Sequence, residues 1–146
     1  MRIKELSSDI MPRDGTLVYW ETPLSNLCTS ILITKGCWSD RKFVLTIQCG
    51  HAPGGDEWTC IFKDPVSVRV GERFFETSWN ARDCKLPNRK ALAPFYEIKS
   101  SRERAHYLAW IERIFPNDQE LREYLIASEQ DEIRVLTNHS PVFEQV

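Results

Sequence analysis

At 146 residues, 42% hydrophobic and 27% charged, the chain has the composition of a folded globular domain, not a disordered segment. A formal charge of −2 gives no general attraction to nucleic acid or to an anionic membrane surface. No stretch approaches the roughly 20 apolar residues of a membrane helix, and the charged opening, with Arg2, Lys4, Glu5 and Asp9, carries no signal-peptide pattern.

The length predicts a single domain over 1–146, and the default compartment is the cytosol. In chain order, TLVYWE (16–21) is β-branched and aromatic and stops at Thr22-Pro23. CTSILITKG (28–36) alternates, with Cys28, Ser30, Leu32 and Thr34 on one side and Thr29, Ile31, Ile33 and Lys35 on the other. After a turn near Ser39-Asp40, RKFVLTIQCG (41–50) sets Phe43, Leu45, Ile47 and Cys49 on one face. A loop containing Pro53-Gly54-Gly55 follows, and Trp58, Cys60 and Phe62 then form the next apolar set. Both cysteines in this strand–loop–strand fall in phase with large apolar side chains, where Cys behaves as a small hydrophobe.

Asp64-Pro65 marks a strand boundary. VSVRVGERFFETSW (66–79) resumes alternation, with Val66, Val68 and Val70 expected inward and a bulge or turn at Gly71-Glu72. Residues 80–94 have the prolines and turn formers of an irregular connection. FYEIKS (95–100) reads as a short strand leading into a helix at about 100–115. Its start is a capping box, Ser100-x-x-Glu103, and its apolar stripe is Ala105, Leu108, Ile111 and Phe115, widened by Tyr107 and Ile114. Pro116 ends it. LREYLIASEQDEIRVLTN (121–138) reads as a closing hairpin turning at Ser128-Glu129-Gln130-Asp131, with Tyr124, Ile126, Ile133 and Val135 alternating inward. The expected fold is α+β: a mainly antiparallel sheet or sandwich, one packed helix and a C-terminal hairpin.

Several chemistries compete. Cys49, His51 and Cys60, with Cys37 or Asp56 as a fourth ligand, make an imperfect zinc trio whose spacing matches no standard structural zinc class. The bland alternative is two core thiols and a loop histidine. Five cysteines at 28, 37, 49, 60 and 84 have no repeated spacing, and a reducing compartment makes them free thiols. A cysteine nucleophile needs a neighbouring His or helix start; Cys84, beside Arg82 and Lys85, is the best placed, and nothing else in the pattern supports it. No phosphate-binding glycine loop is present, and no cofactor is implied.

The basic stretch 82–104 (Arg82, Lys85, Arg89, Lys90, Lys99, Arg102, Arg104) lies beside Phe95 and Tyr96, a combination that can hold phosphates and stack bases. A solvated surface accounts for it equally well. The C-terminal hairpin region is acidic instead, through Asp118, Glu120, Glu123, Glu129, Asp131 and Glu132. Of five tryptophans, Trp58 and Trp110 fit core stripes, whereas Trp38 and Trp79 stand at turns where they either roof the core or anchor an interface.

Two segments together, EWTCIFKDPVSVRVGERFFE (57–76) and REYLIASEQDEIRVLT (122–137), resemble small uncharacterised bacterial proteins, some of which look like immunity proteins of toxin–antitoxin and contact-inhibition loci. The resemblance is a pattern of apolar positions from Glu57 onward and transfers no functional residue. It implies a binder of another protein, a toxin in the immunity case, without enzyme activity. The leading expectation is therefore a non-enzymatic protein-binding module, with Trp79, Tyr124, Glu129, Asp131 and Glu132 as partner contacts and the acidic hairpin steering a basic partner. The rivals are a small-ligand or metal-binding β-rich protein, a hydrolase among them, using the 49–60 loop, and a nucleic-acid binder using 82–104.

Overall fold

A computed structural model of the chain describes residues 16–25, 27, 30–50, 56–72, 84–85, 94–99, 102–114, 121–128 and 131–146. The fold is α+β and mainly antiparallel. Among the described residues the strands are β1 (Thr16–Tyr19), β2 (Ile31–Ser39), β3 (Lys42–Cys49), β4 (Glu57–Lys63), β5 (Ser67–Glu72), β6 (Cys84–Lys85), β7 (Phe95–Lys99), β8 (Arg122–Ala127), β9 (Asp131–Thr137) and β10 (Val142–Gln145), with one helix, α1 (Arg102–Ile114), between β7 and β8. A larger sheet runs β5-β9-β8-β7-β1-β6 and a smaller one β10-β4-β3-β2. Among the described strands, only the short β1–β6 contact is parallel.

Alternation builds the smaller sheet as the sequence predicts. Phe43, Leu45 and Ile47 of β3 and Cys60 and Phe62 of β4 are buried on its inner face. Facing them, Phe95, Tyr124, Ile126, Ile133 and Val135 of the larger sheet complete one core, joined by Leu24 and Ile31. Two layers are thus stacked through their apolar faces, as in a sandwich. Full burial of side chains such as Phe62 and Phe95, both 0% exposed, contributes about 2–3 kcal/mol each. Trp20 seals one side, its ring 4.5 Å from Tyr124 and edge-on to Phe95 at 5.8 Å.

The β2–β3 turn has Asp40 and Arg41 both at positive φ, 50° and 64°, the handedness that suits the twist of a tight hairpin. Arg41 is held there from β4's end: its Nε lies 2.8 Å from Asp64 Oδ1, and the Asp64 N–H donates to the Arg41 carbonyl at 2.8 Å. Within β2, register slips between Ile33 and Lys35. That bulge reverses the alternation expected across 28–36. Beyond it Gly36 pairs with Leu45 and Trp38 with Phe43, so both lie on the inner side. A Cβ on Gly36 would stand 3.2 Å from the Phe43 ring tip and 3.3 Å from Leu45 Cδ2, closer than side chains normally pack.

The larger sheet is lined on both faces. Opposite the main core, Leu17, Tyr96, Ile98 and Leu125 form a second apolar cluster, and α1 lays Tyr107 and Leu108 against Leu121 and Leu136. Arg104 ties the helix down, donating from Nε to the Leu121 carbonyl at 2.8 Å. The stripe drawn from the sequence is only partly right: Leu108 and Tyr107 pack, Ala105 is exposed, and Trp110 is 54% exposed instead of core. The capping serine lies outside the described residues. In the edge strand β5, Val68 meets the core, and Val70, opposite Ile133, shares its face but is 52% exposed at the sheet's edge; Val66 is 37% exposed. Gly71 makes neither bulge nor turn, since it continues the ladder opposite Glu132. The β8–β9 turn falls where expected: Ser128 N–H donates to the Asp131 carbonyl at 2.8 Å, and Asp131 N–H to Ser128 Oγ at 2.9 Å.

Candidate functional site

The side of the smaller sheet turned away from the core is the most distinctive surface of the fold. Residues paired across its strands form rungs, because cross-strand partners project to the same face. One rung, Cys37, Val44, Ile61 and Val142, is apolar across all four strands. Val142 is 52% exposed, and the other three are half-buried. On one side of it lie Ser39, Lys42 and Lys63; on the other, Lys35, Thr46, Thr59 and Glu144; beyond those, Leu32, Gln48 and Glu57.

Charge on this face is divided: the only charges on the rung at one side of the apolar strip are Lys42 and Lys63, whereas the exposed carboxylates Glu144 and Glu57 lie on the other side with Lys35. Lys42 and Lys63 stand directly across from each other, an arrangement that destabilises a strand pair. Lys35, Lys42 and Lys63 are all exposed, and among the described residues none has an ion-pair partner. By contrast, Arg41 is engaged by Asp64, and Lys99 by Glu97 at 2.9 Å.

Of the residues singled out in the sequence as partner contacts, the three that are described do not form an exposed surface. Trp79 and Glu129 lie outside the described residues. Tyr124 is 3% exposed and belongs to the main core, so its ring is spent on packing. Burial pushes its phenol above the ordinary value of 10.0, against the pull of a hydrogen bond with Arg122. Glu132 is 4% exposed, and Asp131 is half-buried at the hairpin turn. Two of the acidic region's carboxylates, Glu123 and Glu132, are therefore turned inward.

They are inward because the second face of the larger sheet is covered. Glu123, 1% exposed, accepts from Arg134 Nη2 at 2.7 Å and from Nε at 3.1 Å. Arg134 is itself 7% exposed, with Arg69 across from it in the β5–β9 ladder. A carboxylate and a guanidinium buried together require such mutual satisfaction, since either alone would be costly to desolvate. In the sequence both were indistinguishable from solvent-facing positions of an alternating strand.

The cysteine chemistry also differs from expectation. Cys60 is a free thiol, 0% exposed, and burial pushes its ionisation far above the ordinary range, which makes it a core residue and not a ligand or nucleophile. Cys37 is free and half-buried. Cys49, however, is in a disulfide, which corrects the free-thiol reading and removes it as a thiolate for the Cys49/His51/Cys60 metal alternative. His51 lies outside the described residues. Among the described residues, no group of three or more His, Cys, Asp or Glu side chains is placed to hold a metal ion.

Of the basic stretch 82–104, two cations are engaged structurally, Lys99 with Glu97 and Arg104 with the Leu121 carbonyl. Arg82, Arg89 and Lys90 lie outside the described residues. Phe95 and Tyr96 are 0% and 2% exposed and offer no ring for stacking. A small polar depression of about 80 Å³ is lined by Arg122, Thr137, Asn138, His139 and Ser140. There the His139 N–H donates to Thr137 Oγ1 at 3.1 Å, a turn-stabilising contact. Comparison with protein-family models, with curated proteins and with solved structures finds no match for the chain. Among the described residues, no helix is long and apolar enough to cross a membrane.

Proposed function

We propose that the chain is a non-enzymatic protein-binding module that acts by surface complementarity, with neutralisation of a toxin, as in immunity proteins, the specific form suggested by the sequence pattern. The observation that supports this reading is the outer face of the smaller sheet, where an apolar rung crosses all four strands between rungs bearing unpaired charges. A half-exposed apolar centre with a polar rim is the anatomy of a protein–protein contact. The disulfide at Cys49 supports maturation in an oxidising compartment over the cytosolic expectation. The test is cross-linking of the folded protein in native lysate, followed by mass spectrometry of the cross-linked peptides. A stoichiometric protein partner is the expected result. Recovery of none, from protein whose fold is intact by circular dichroism, refutes the reading.

A further inference from the structure

We infer that the outer face of the smaller sheet docks an acidic, apolar-centred surface of a second protein, with Lys42 and Lys63 as the charge-reading pair and the Cys37–Val44–Ile61–Val142 rung as the desolvated strip. This rests on the protein-binding reading and adds the place and the partner's chemistry. The rungs are about 7 Å apart and the four strands span about 14 Å, so a partner segment laid along the strands meets both features at once. Two lysines held face to face repel each other in the free protein. A carboxylate set between them removes that repulsion and gains two charge-assisted contacts, so anion binding is favoured twice over. Lys35, one rung beyond the apolar strip, extends the same sign of charge along the β2 side.

Two other occupants fit less well. In a second copy stacked with apolar rungs in register, the Lys42/Lys63 rung falls on its own equivalent or on the threonine rung. The first stacks like charges, and the second offers one carboxylate, Glu144 at the β10 edge, offset by Lys35 at the β2 edge. For nucleic acid the face lacks a stacking platform: none of the residues on its rungs is aromatic. An apolar strip through the centre also has nothing to offer a phosphate backbone.

The test is an NMR titration of the whole chain with three probes: a synthetic peptide of alternating Leu and Glu, its Leu–Lys counterpart, and an oligothymidylate. Expected are amide shifts confined to 35–39, 42–46, 61–63 and 142 with the acidic peptide only, and at least tenfold weaker binding in Lys42→Glu/Lys63→Glu. The single variant Lys42→Glu controls for folding, because it converts a like-charge pair into an opposite one. It is expected to raise the Tm while weakening the acidic peptide. No shift with the acidic peptide, shifts elsewhere, or equal binding of the Leu–Lys peptide or the oligonucleotide overturns the inference. So does salt-sensitive self-association through this face in sedimentation. If a natural partner is captured but cross-links to another surface, this inference fails and the protein-binding reading stands; if no protein partner exists, that reading falls first.

Discussion

Replacing Glu123 by Gln keeps the shape of the side chain and removes its charge, which isolates what the buried carboxylate does. Its partner, Arg134, is 7% exposed and held through Nη2 at 2.7 Å and Nε at 3.1 Å, so water has almost no access to the guanidinium once the countercharge is gone. Breaking a buried pair from one side typically costs about 3–5 kcal/mol. Arg69, across the ladder from Arg134, adds like charge and keeps the cost toward the upper end. Against a total stability of about 5–15 kcal/mol for a domain, that is a large fraction. Urea unfolding followed by tryptophan fluorescence measures it, with Trp20 packed in the core as a reporter. The double replacement Glu123→Leu/Arg134→Met is expected to recover most of the loss, because an apolar pair of similar volume is close to neutral there. The reasoning is refuted if Glu123→Gln costs under about 1 kcal/mol, or if the double variant is as unstable as the single, since either result means that the pair is solvated.

Three further outcomes follow from the burial and bonding of single side chains. Tyr124→Ala is expected to lose about 3–5 kcal/mol in equilibrium unfolding, because the ring fills the core; a variant of native stability with weakened partner binding would restore Tyr124 as a surface anchor. The raised phenol of Tyr124 predicts that its folding contribution is intact below pH 10, the ordinary value, and is lost as pH climbs through the higher folded value; spectrophotometric titration of wild type against Tyr124→Phe checks the direction. Maleimide mapping is expected to label Cys37 in the native protein, Cys60 only after unfolding, and Cys49 only after reduction; labelling of Cys49 without reductant contradicts its disulfide.

Much of the architecture was legible because period-two alternation is a direct record of burial. Phe43, Leu45 and Ile47, or Cys60 and Phe62, declare an inner face without further information, and the Ser128–Asp131 turn follows from its residue types. What was hidden depended on layers the local pattern does not contain. A bulge after Ile33 shifts the phase of β2, so Gly36 and Trp38 change sides with no marker in the sequence. Glu123, Glu132 and Arg134 occupy the polar phase of their strands and look solvent-facing, yet the second face of that sheet is closed. Val142–Gln145 is too short a strand, behind a proline, to announce itself. The lysine-flanked outer face was invisible for a related reason: Lys42 and Lys63 are distant in sequence, and only the β3–β4 register sets them opposite each other.

That register also decides how charge is divided over the molecule. Of the acidic positions that suggested a basic partner, Glu123 is consumed internally by Arg134; outside that set, Glu97 is engaged by Lys99, with Arg122 3.9 Å away. Cations of the smaller sheet's outer face have no such consumers among the described residues. The Lys42/Lys63 rung is therefore a locally basic strip on a chain whose formal charge is −2. Since long-range steering follows exposed charge and not composition, the partner proposed for this surface is acidic, the opposite sign to the one the linear sequence suggests. The difference is measurable in association kinetics. Raising salt slows capture of an acidic partner, and Lys63→Glu slows it further at low salt while leaving it little changed at high salt.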